Sequence, residues 1–345
     1  MKGNNIEILK KLVNILGPSG MEQQVRAFIY KQIKEYADEI YIDKYGNLIC
    51  NQKGKGEKIM IAAHMDEIGL MVKAIREDGR MKVATIGGLE PVTLIGQGVS
   101  LLNHDGDIIC EGILTTEEIH EDFPPEKLPN IDDIYIDAGV DGKTLKKLGI
   151  RVGTFAVPKH AARFLGSKDY LCGKGLDDRI GCFILMELIK KTKKLKRNIC
   201  YVFTVQEEIG LYVAQTSTYQ LEPDWGIAVD VTNSLDSMEP KEYRLGGGPT
   251  ITAMDAEMMP SLCLNDTLIA IAKKKRIPFQ IKVEEEGTTD ATRIRLAKGG
   301  IPATTVGVPV RNLHSTISIC NMKDIHYCIQ LLYEFLSSPP KTCFV

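Results

Sequence analysis

Apolar residues recur along this chain at two spacings, and the places where the spacing changes divide it. NIEILKKLVNIL, near the start, carries Ile, Leu and Val at helical intervals. GPSG interrupts the run, and MEQQVRAFIYKQIKEY resumes it as a second helix, for which Ser19 and Glu22 have the spacing of a capping box. EIYIDKYGNLICNQ then reads as two short strands about a turn at Tyr45-Gly46-Asn47, followed by the strand KIMIAA. From Leu70 to Pro158 the runs become short, β-like and punctuated by DG and GG, with helical periodicity only in DGKTLKKLGI. That stretch predicts an inserted small β domain. Beyond Lys168 helix and strand alternate again: helix DDRIGCFILMELIKKTKK, strands NICYVFTVQ and WGIAVDVT, helix SLCLNDTLIAIAKKKR, strand FQIKVE, helix TDATRIRLAKG, strand PATTVGV and closing helix DIHYCIQLLYEFL. An α/β sheet interrupted by a β module fits this order.

The chain has 345 residues, 44% of them hydrophobic, enough for a substantial core and more than one domain. Basic and acidic residues balance at 43 against 45, with no long block of one sign, so no footprint for nucleic acid exists; KKTKKLKR reads as a solvated helix end. The nine cysteines are odd in number, scattered and without a CxxC pair, a pattern of buried or free thiols in a reducing compartment. The first helix carries charges and lacks a cleavage site, and no apolar run of 18 residues occurs, so no membrane partner and a cytoplasmic location are expected.

Chemistry gathers at the ends of the apolar runs. KIMIAA leads into His64, Asp66 and Glu67; NICYVFTV into Gln206, Glu207 and Glu208; WGIAV into Asp230; and ATTVGV, through PVRN, to His314. In open α/β sheets the crevice beyond the carboxyl ends of the strands is where ligands sit. Asp177 and Asp178 precede a long apolar helix, at its positively polarised start. Alone, that pair could be a helix cap, the glutamates a solvated loop, and His314 a hydrogen-bonded loop residue. Together, two histidines and at least three carboxylates in one crevice call for one or two divalent cations. Imidazole mixed with carboxylate suits zinc, cobalt or manganese, and the sequence leaves the choice open. His104, His120, His160 and His326 fall outside these positions and read as structural or exposed.

The motifs AAHMDEIGL, GLDDRIG, TVQEEIGL, AVDVT, GTTDA and VPVRNLHS, in this order, resemble those of the glutamyl aminopeptidase group of cytoplasmic di-metal aminopeptidases, some of which carry an endoglucanase label. The resemblance spans nearly the whole chain. It implies an α/β fold: a mixed-sheet, zinc-peptidase-like catalytic domain of residues 1–69 and 160–345, and an inserted small β-barrel-like domain of residues 70–159 that mediates dimerisation. Dimers of that group assemble into tetrahedral dodecamers. Carried over, it implies that His64, Asp177 and Asp230 hold one metal and Asp177, Glu208 and His314 the other, with Asp177, first of the acidic pair, as the bridge. Glu207 is then the general base for a two-metal-activated water, and Asp66 orients the His64 ring. The substrates implied are peptides with a free N-terminus. The chain departs from the group in two places: Tyr212-Val213-Ala214 replace its usual Arg-Gly-Ala, and Thr288 stands where a second glycine is common, in a segment expected to border the substrate pocket.

Two other readings compete. A glycoside hydrolase would use paired carboxylates, but it leaves His64 and His314 without a task and calls for an aromatic groove, whereas this chain has one tryptophan and 6% aromatics. A non-catalytic metal-binding protein would have no use for a spare carboxylate such as Glu207 beside a closed ligand set.

Overall fold

The computed structural model describes residues 3–117, 128–237, 243–340 and 343. Strands β1 (Glu39–Ile42), β2 (Leu48–Gln52) and β3 (Lys55–His64) open the main sheet. Next come β4 (Gly69–Ile75), β5 (Met81–Ile86), β6 (Gly98–Leu102), β7 (Ile108–Thr115), β8 (Tyr135–Asp137) and β9 (Phe155–Pro158). The chain then supplies β10 (Arg163–Leu165), β11 (Ser167–Gly173), β12 (Arg197–Thr204), β13 (Trp225–Asn233), β14 (Thr250–Met254), β15 (Gln280–Val283), β16 (Ala303–Arg311) and β17 (Ser318–Asn321).

The mixed sheet runs in the order β1-β2-β12-β3-β13-β16-β17-β11-β10, with β14 and β15 branching beside β16, while β4-β5-β8-β7-β6-β9 closes into a barrel. At the centre of the sheet β12, β3, β13 and β16 are parallel. Their burial explains their sequences. Eight of the nine residues of both β13 and β16 are buried, so they read as near-continuous apolar runs, as strands covered on both faces do.

One cover is the helix Leu176–Thr192, with fourteen of its seventeen residues buried. It lies between the sheet and the helices Gly3–Asn14, Gln23–Ile33 and Met322–Ser337, which is why it is apolar nearly all round. On the opposite face Met60, Ala62, Cys200, Val202 and Ala228 pack against Ala291 and Ile294 of the helix Asp290–Ile294. The barrel has its own core, built on Leu70, Val72, Val83, Val99, Leu101, Leu114 and Ile136.

Some local expectations fail for non-local reasons. The helix at Gln23 has Glu22 at its N-cap but no side-chain cap bond. Ser19 Oγ instead donates to Asp66 Oδ2 at 2.6 Å, and Glu22 Oε1 accepts from Gly20 N at 2.7 Å and Gln206 N at 3.1 Å, so no capping box forms. Cys263 and Cys343 form a disulfide, with Cα atoms 5.6 Å apart, which corrects the thiol-only reading of the cysteines. The other seven are free thiols, six of them buried. The helix Tyr212–Leu221 and the strands β14 and β17 were not foreseen from the sequence pattern. No helix among the described residues is long and apolar enough to cross a membrane.

Candidate active site

Parallel register brings the chemistry to one edge. His64 closes β3 opposite Thr204 of β12. Two residues beyond Thr204 the backbone of Gln206 turns left-handed (φ 58°), and Glu207 and Glu208 follow. β13 leaves its pairing with β3 at Ala228 but continues beside β16 to Asn233, which carries Asp230 level with His64 at the end of β3. His314 follows β16, also with a left-handed backbone (φ 57°). Such a backbone costs a non-glycine residue of the order of 1 kcal/mol, and it recurs here at Gln206, Leu211 and His314.

Two donor groups result. His64, Asp177 and Asp230 each present a ligand atom within 4.8 Å of the others, as do Asp177, Glu208 and His314. Asp177 belongs to both. Its Oδ1 is 3.0 Å from His64 Nε2 and its Oδ2 is 3.6 Å from His314 Nε2. Asp230 Oδ1 lies 3.9 Å from His64 Nε2, and Glu208 Oε2 lies 3.8 Å from His314 Nε2. Glu207 stands beside both groups without belonging to either, its Oε2 4.0 Å from His64 Nε2. Asp178 turns the other way: fully buried, it accepts the Gly181 N–H at 2.9 Å.

Asp66 does more than its spacing suggests. Its Oδ1 is 3.4 Å from His64 Nδ1 and accepts the Glu207 N–H at 3.1 Å, while Oδ2 accepts from Ser19 Oγ and from the Glu208 N–H at 3.2 Å. One carboxylate thus fixes a histidine and the loop carrying two glutamates. Glu67 is 1% exposed and binds Lys174 Nζ at 2.6 and 2.7 Å and the Gly17 N–H at 2.9 Å, with Arg179 3.6 Å away. It pins the end of β3 to the segment before Asp177.

The barrel also reaches the site. Gly87 has φ of +80°, and a Cβ there would come within 2.8 Å of Glu208 Oε2; at Gly88 it would come within 2.9 Å of His314 Nδ1. The Glu90 N–H donates to the His314 carbonyl at 3.1 Å.

Crowded carboxylates shift each other. Burial, followed by repulsion from Asp177, raises Asp230 to about 7 and pushes Glu208 well above the usual range. Glu207 is raised by burial and then by Asp230 and Asp290, with His64 opposing. Burial disfavours charge on His64, yet Glu207, Asp177 and Asp66 hold its pKa well above normal. Asp66, against its burial, stays below the usual carboxylate range because His64 and the Ser19 hydroxyl stabilise its charge. Glu208 Oε1 is buried with no hydrogen-bond partner among the described residues. Mixed imidazole and carboxylate donors, mutual repulsion and an orphaned acceptor together fit divalent cations.

The remaining histidines lie elsewhere. His104 contacts Arg151, His160 Nε2 lies 2.7 Å from Gln97 Oε1, His326 sits against Tyr327, and His120 falls outside the described residues. The donor groups open into a cavity of about 440 Å³ whose outer wall includes Tyr212, Glu257, Lys282, Glu284, Thr288 and Arg293. Sequence gave no signal for Arg293 or Lys282, since cations on short polar segments read as solvated.

Residues 46–331 match the model of the M42 glutamyl aminopeptidase family. The lysyl aminopeptidase of Pyrococcus furiosus is 32% identical over 340 residues, 96% of each chain. The glutamyl aminopeptidase of Lactococcus lactis is 31% identical over 338 residues, 96% of this chain and 95% of its own. Among solved structures, an aminopeptidase from the archaeon Desulfurococcus kamchatkensis superposes with a TM-score of 0.93 at 35% identity, covering 98% of this chain and 96% of that one. The Pyrococcus horikoshii TET1 peptidase, which can assemble into a tetrahedron or a large octahedral shell, superposes with a TM-score of 0.87 at 30% identity, covering 96% and 99%.

Proposed function

This chain belongs to the M42 glutamyl aminopeptidase family, and on that premise we propose that it removes N-terminal residues from peptides with two divalent cations and Glu207 as general base. The aminopeptidase activity comes with the family; the metal pair and the residue roles are our reading. The observation that carries it is the double membership of Asp177 in two donor groups, with Glu207 left over beside them. His64, Asp177 and Asp230 would hold one cation and Asp177, Glu208 and His314 the other, zinc or cobalt before manganese. When bound, such a pair polarises the scissile carbonyl and acidifies water.

The chain's own groups supply the rest. Glu207, raised by burial and by its acidic neighbours, is suited to take a proton from water and return it to the leaving amine. Asp66 holds the His64 ring through Nδ1 and leaves Nε2 for the site, while its grip on the Glu207 and Glu208 amides sets the base and a ligand together. Glu67 and Lys174 fix the approach of Asp177. We extend the reading to a cytoplasmic protein whose residues 1–69 and 160–345 form the catalytic unit and whose residues 70–159 mediate dimerisation within a dodecamer.

Aminoacyl-anilide and β-glucan substrates, assayed before and after chelation and after cobalt or zinc restoration, test this reading. Chelator-sensitive release of N-terminal residues is expected, falling about 10²–10⁴-fold in Glu207→Gln while bound metal is retained. Glucanase activity that survives chelation, or a Glu207→Gln variant as active as the wild type, would contradict it.

A further inference from the structure

The family leaves open which N-terminal residue is preferred: relatives of nearly equal identity are named for lysyl and for glutamyl substrates, side chains of opposite charge. The answer must lie in the outer wall of the cavity. Two cations stand there, and they differ in one respect. Lys282, with a side chain 9% exposed, is paired to Glu284. Arg293, with a side chain 20% exposed, has only a long ion pair, to Glu257.

The nearest carboxylate to Arg293, that of Glu257, lies 3.7 Å from Nη2, beyond hydrogen-bond reach, and its side chain is 49% exposed, so water screens it. Arg293 Nε is buried and has no acceptor among the described residues. Its guanidinium carbon sits 5.0 Å from the ring centre of Tyr212. The chain therefore presents a guanidinium against an aromatic face, its Nε without an acceptor among the described residues and its Nη2 only loosely paired, in the wall of the cavity that holds His64, Asp177 and Glu207. Its backbone is anchored near the chemistry: three residues earlier in the same short helix, Asp290 Oδ2 accepts from Thr204 Oγ1 at 2.6 Å, just ahead of the Glu207 loop.

A planar guanidinium with free donors is suited to bidentate recognition of a carboxylate, and stacking fixes the plane in which it is offered. We propose that Arg293, positioned by Tyr212, is the specificity-determining residue of this site and reads a carboxylate of the peptide substrate. The source is the side chain of an N-terminal glutamate or aspartate, or else the C-terminal carboxylate of a dipeptide. The inference rests on the aminopeptidase reading above.

Matched substrate pairs test it, each pair differing only in charge. For the first source, kcat/KM is compared between glutamyl- and glutaminyl-anilide; for the second, between Leu-Gly and Leu-Gly-amide. The wild type is expected to favour the charged member of one pair by about tenfold or more. In Arg293→Gln that ratio collapses towards one, in Arg293→Lys it falls part of the way, and in Tyr212→Ala it falls while Tyr212→Phe keeps it. The pair that responds identifies the source. Ratios near one for both pairs in the wild type, or ratios unchanged in Arg293→Gln, overturn the assignment; if Arg293→Gln turns over neither member, Arg293→Lys decides. Chelator-sensitive hydrolysis of leucyl-anilide separates the two levels. Its presence with no charge preference overturns Arg293 alone, and its absence overturns the underlying reading as well.

Discussion

Asp66 joins four groups from three separate stretches of sequence: Ser19, the His64 ring and the amides of Glu207 and Glu208. Replacing it with alanine frees a ligand and a loop together, so metal affinity should fall about 10–100-fold, read by competition with a chelating dye. Glu22 offers a test by pH. Burial, with the Asp66 charge adding to it, raises its pKa from 4.5 to about 7. The folded chain therefore holds a proton that the unfolded chain gives up between those values, and stability falls as pH rises through that window. Glu22→Gln keeps an oxygen for the Gly20 and Gln206 amides and removes the titration. In metal-free urea melts it should gain up to about 3 kcal/mol on the wild type between pH 4.5 and 7. A difference that does not change with pH would contradict the assignment. Sequence misread Ser19 and Glu22 because a capping box is a local pattern, while their partners lie 47 and 184 residues away. His64, Asp230, Glu207 and Glu208 stand out in the sequence as candidates because each follows or ends an apolar run.

Those runs are elements whose burial dictates their composition. β3, β12, β13 and β16 are legible because parallel strands must be apolar over the stretch that is covered on both faces. The helix Tyr212–Leu221 was not: its sequence YVAQTSTYQL buries Ser217 and Thr218, whose hydroxyls bond back to the Ala214 carbonyl, and this blurs its apolar face. Close approach was equally invisible. Nothing in TIGGLE shows that Gly87 and Gly88 touch Glu208 and His314. Gly88→Ala should displace the His314 imidazole and weaken the cation held by Asp177, Glu208 and His314 more than its neighbour, with the barrel intact by circular dichroism. Equal weakening at both positions would show that the contact is not local.

As a whole molecule the chain is a mixed sheet with a closed barrel inserted between β3 and β10, as the family resemblance led us to expect. The barrel leaves Ile108 and Ile113 of β7 more than half exposed, apolar positions suited to a partner copy. Light scattering should report twelve subunits of 38.3 kDa, and Ile113→Glu should give a smaller species. A wild-type monomer would contradict the assembly. The claim on which the rest depends is that Asp177 serves two cations at once. Bound cobalt per subunit, measured after gel filtration in metal buffer, tests it most directly. The account predicts two for the wild type, one for His314→Ala and none for Asp177→Ala; two cations retained by Asp177→Ala would contradict it.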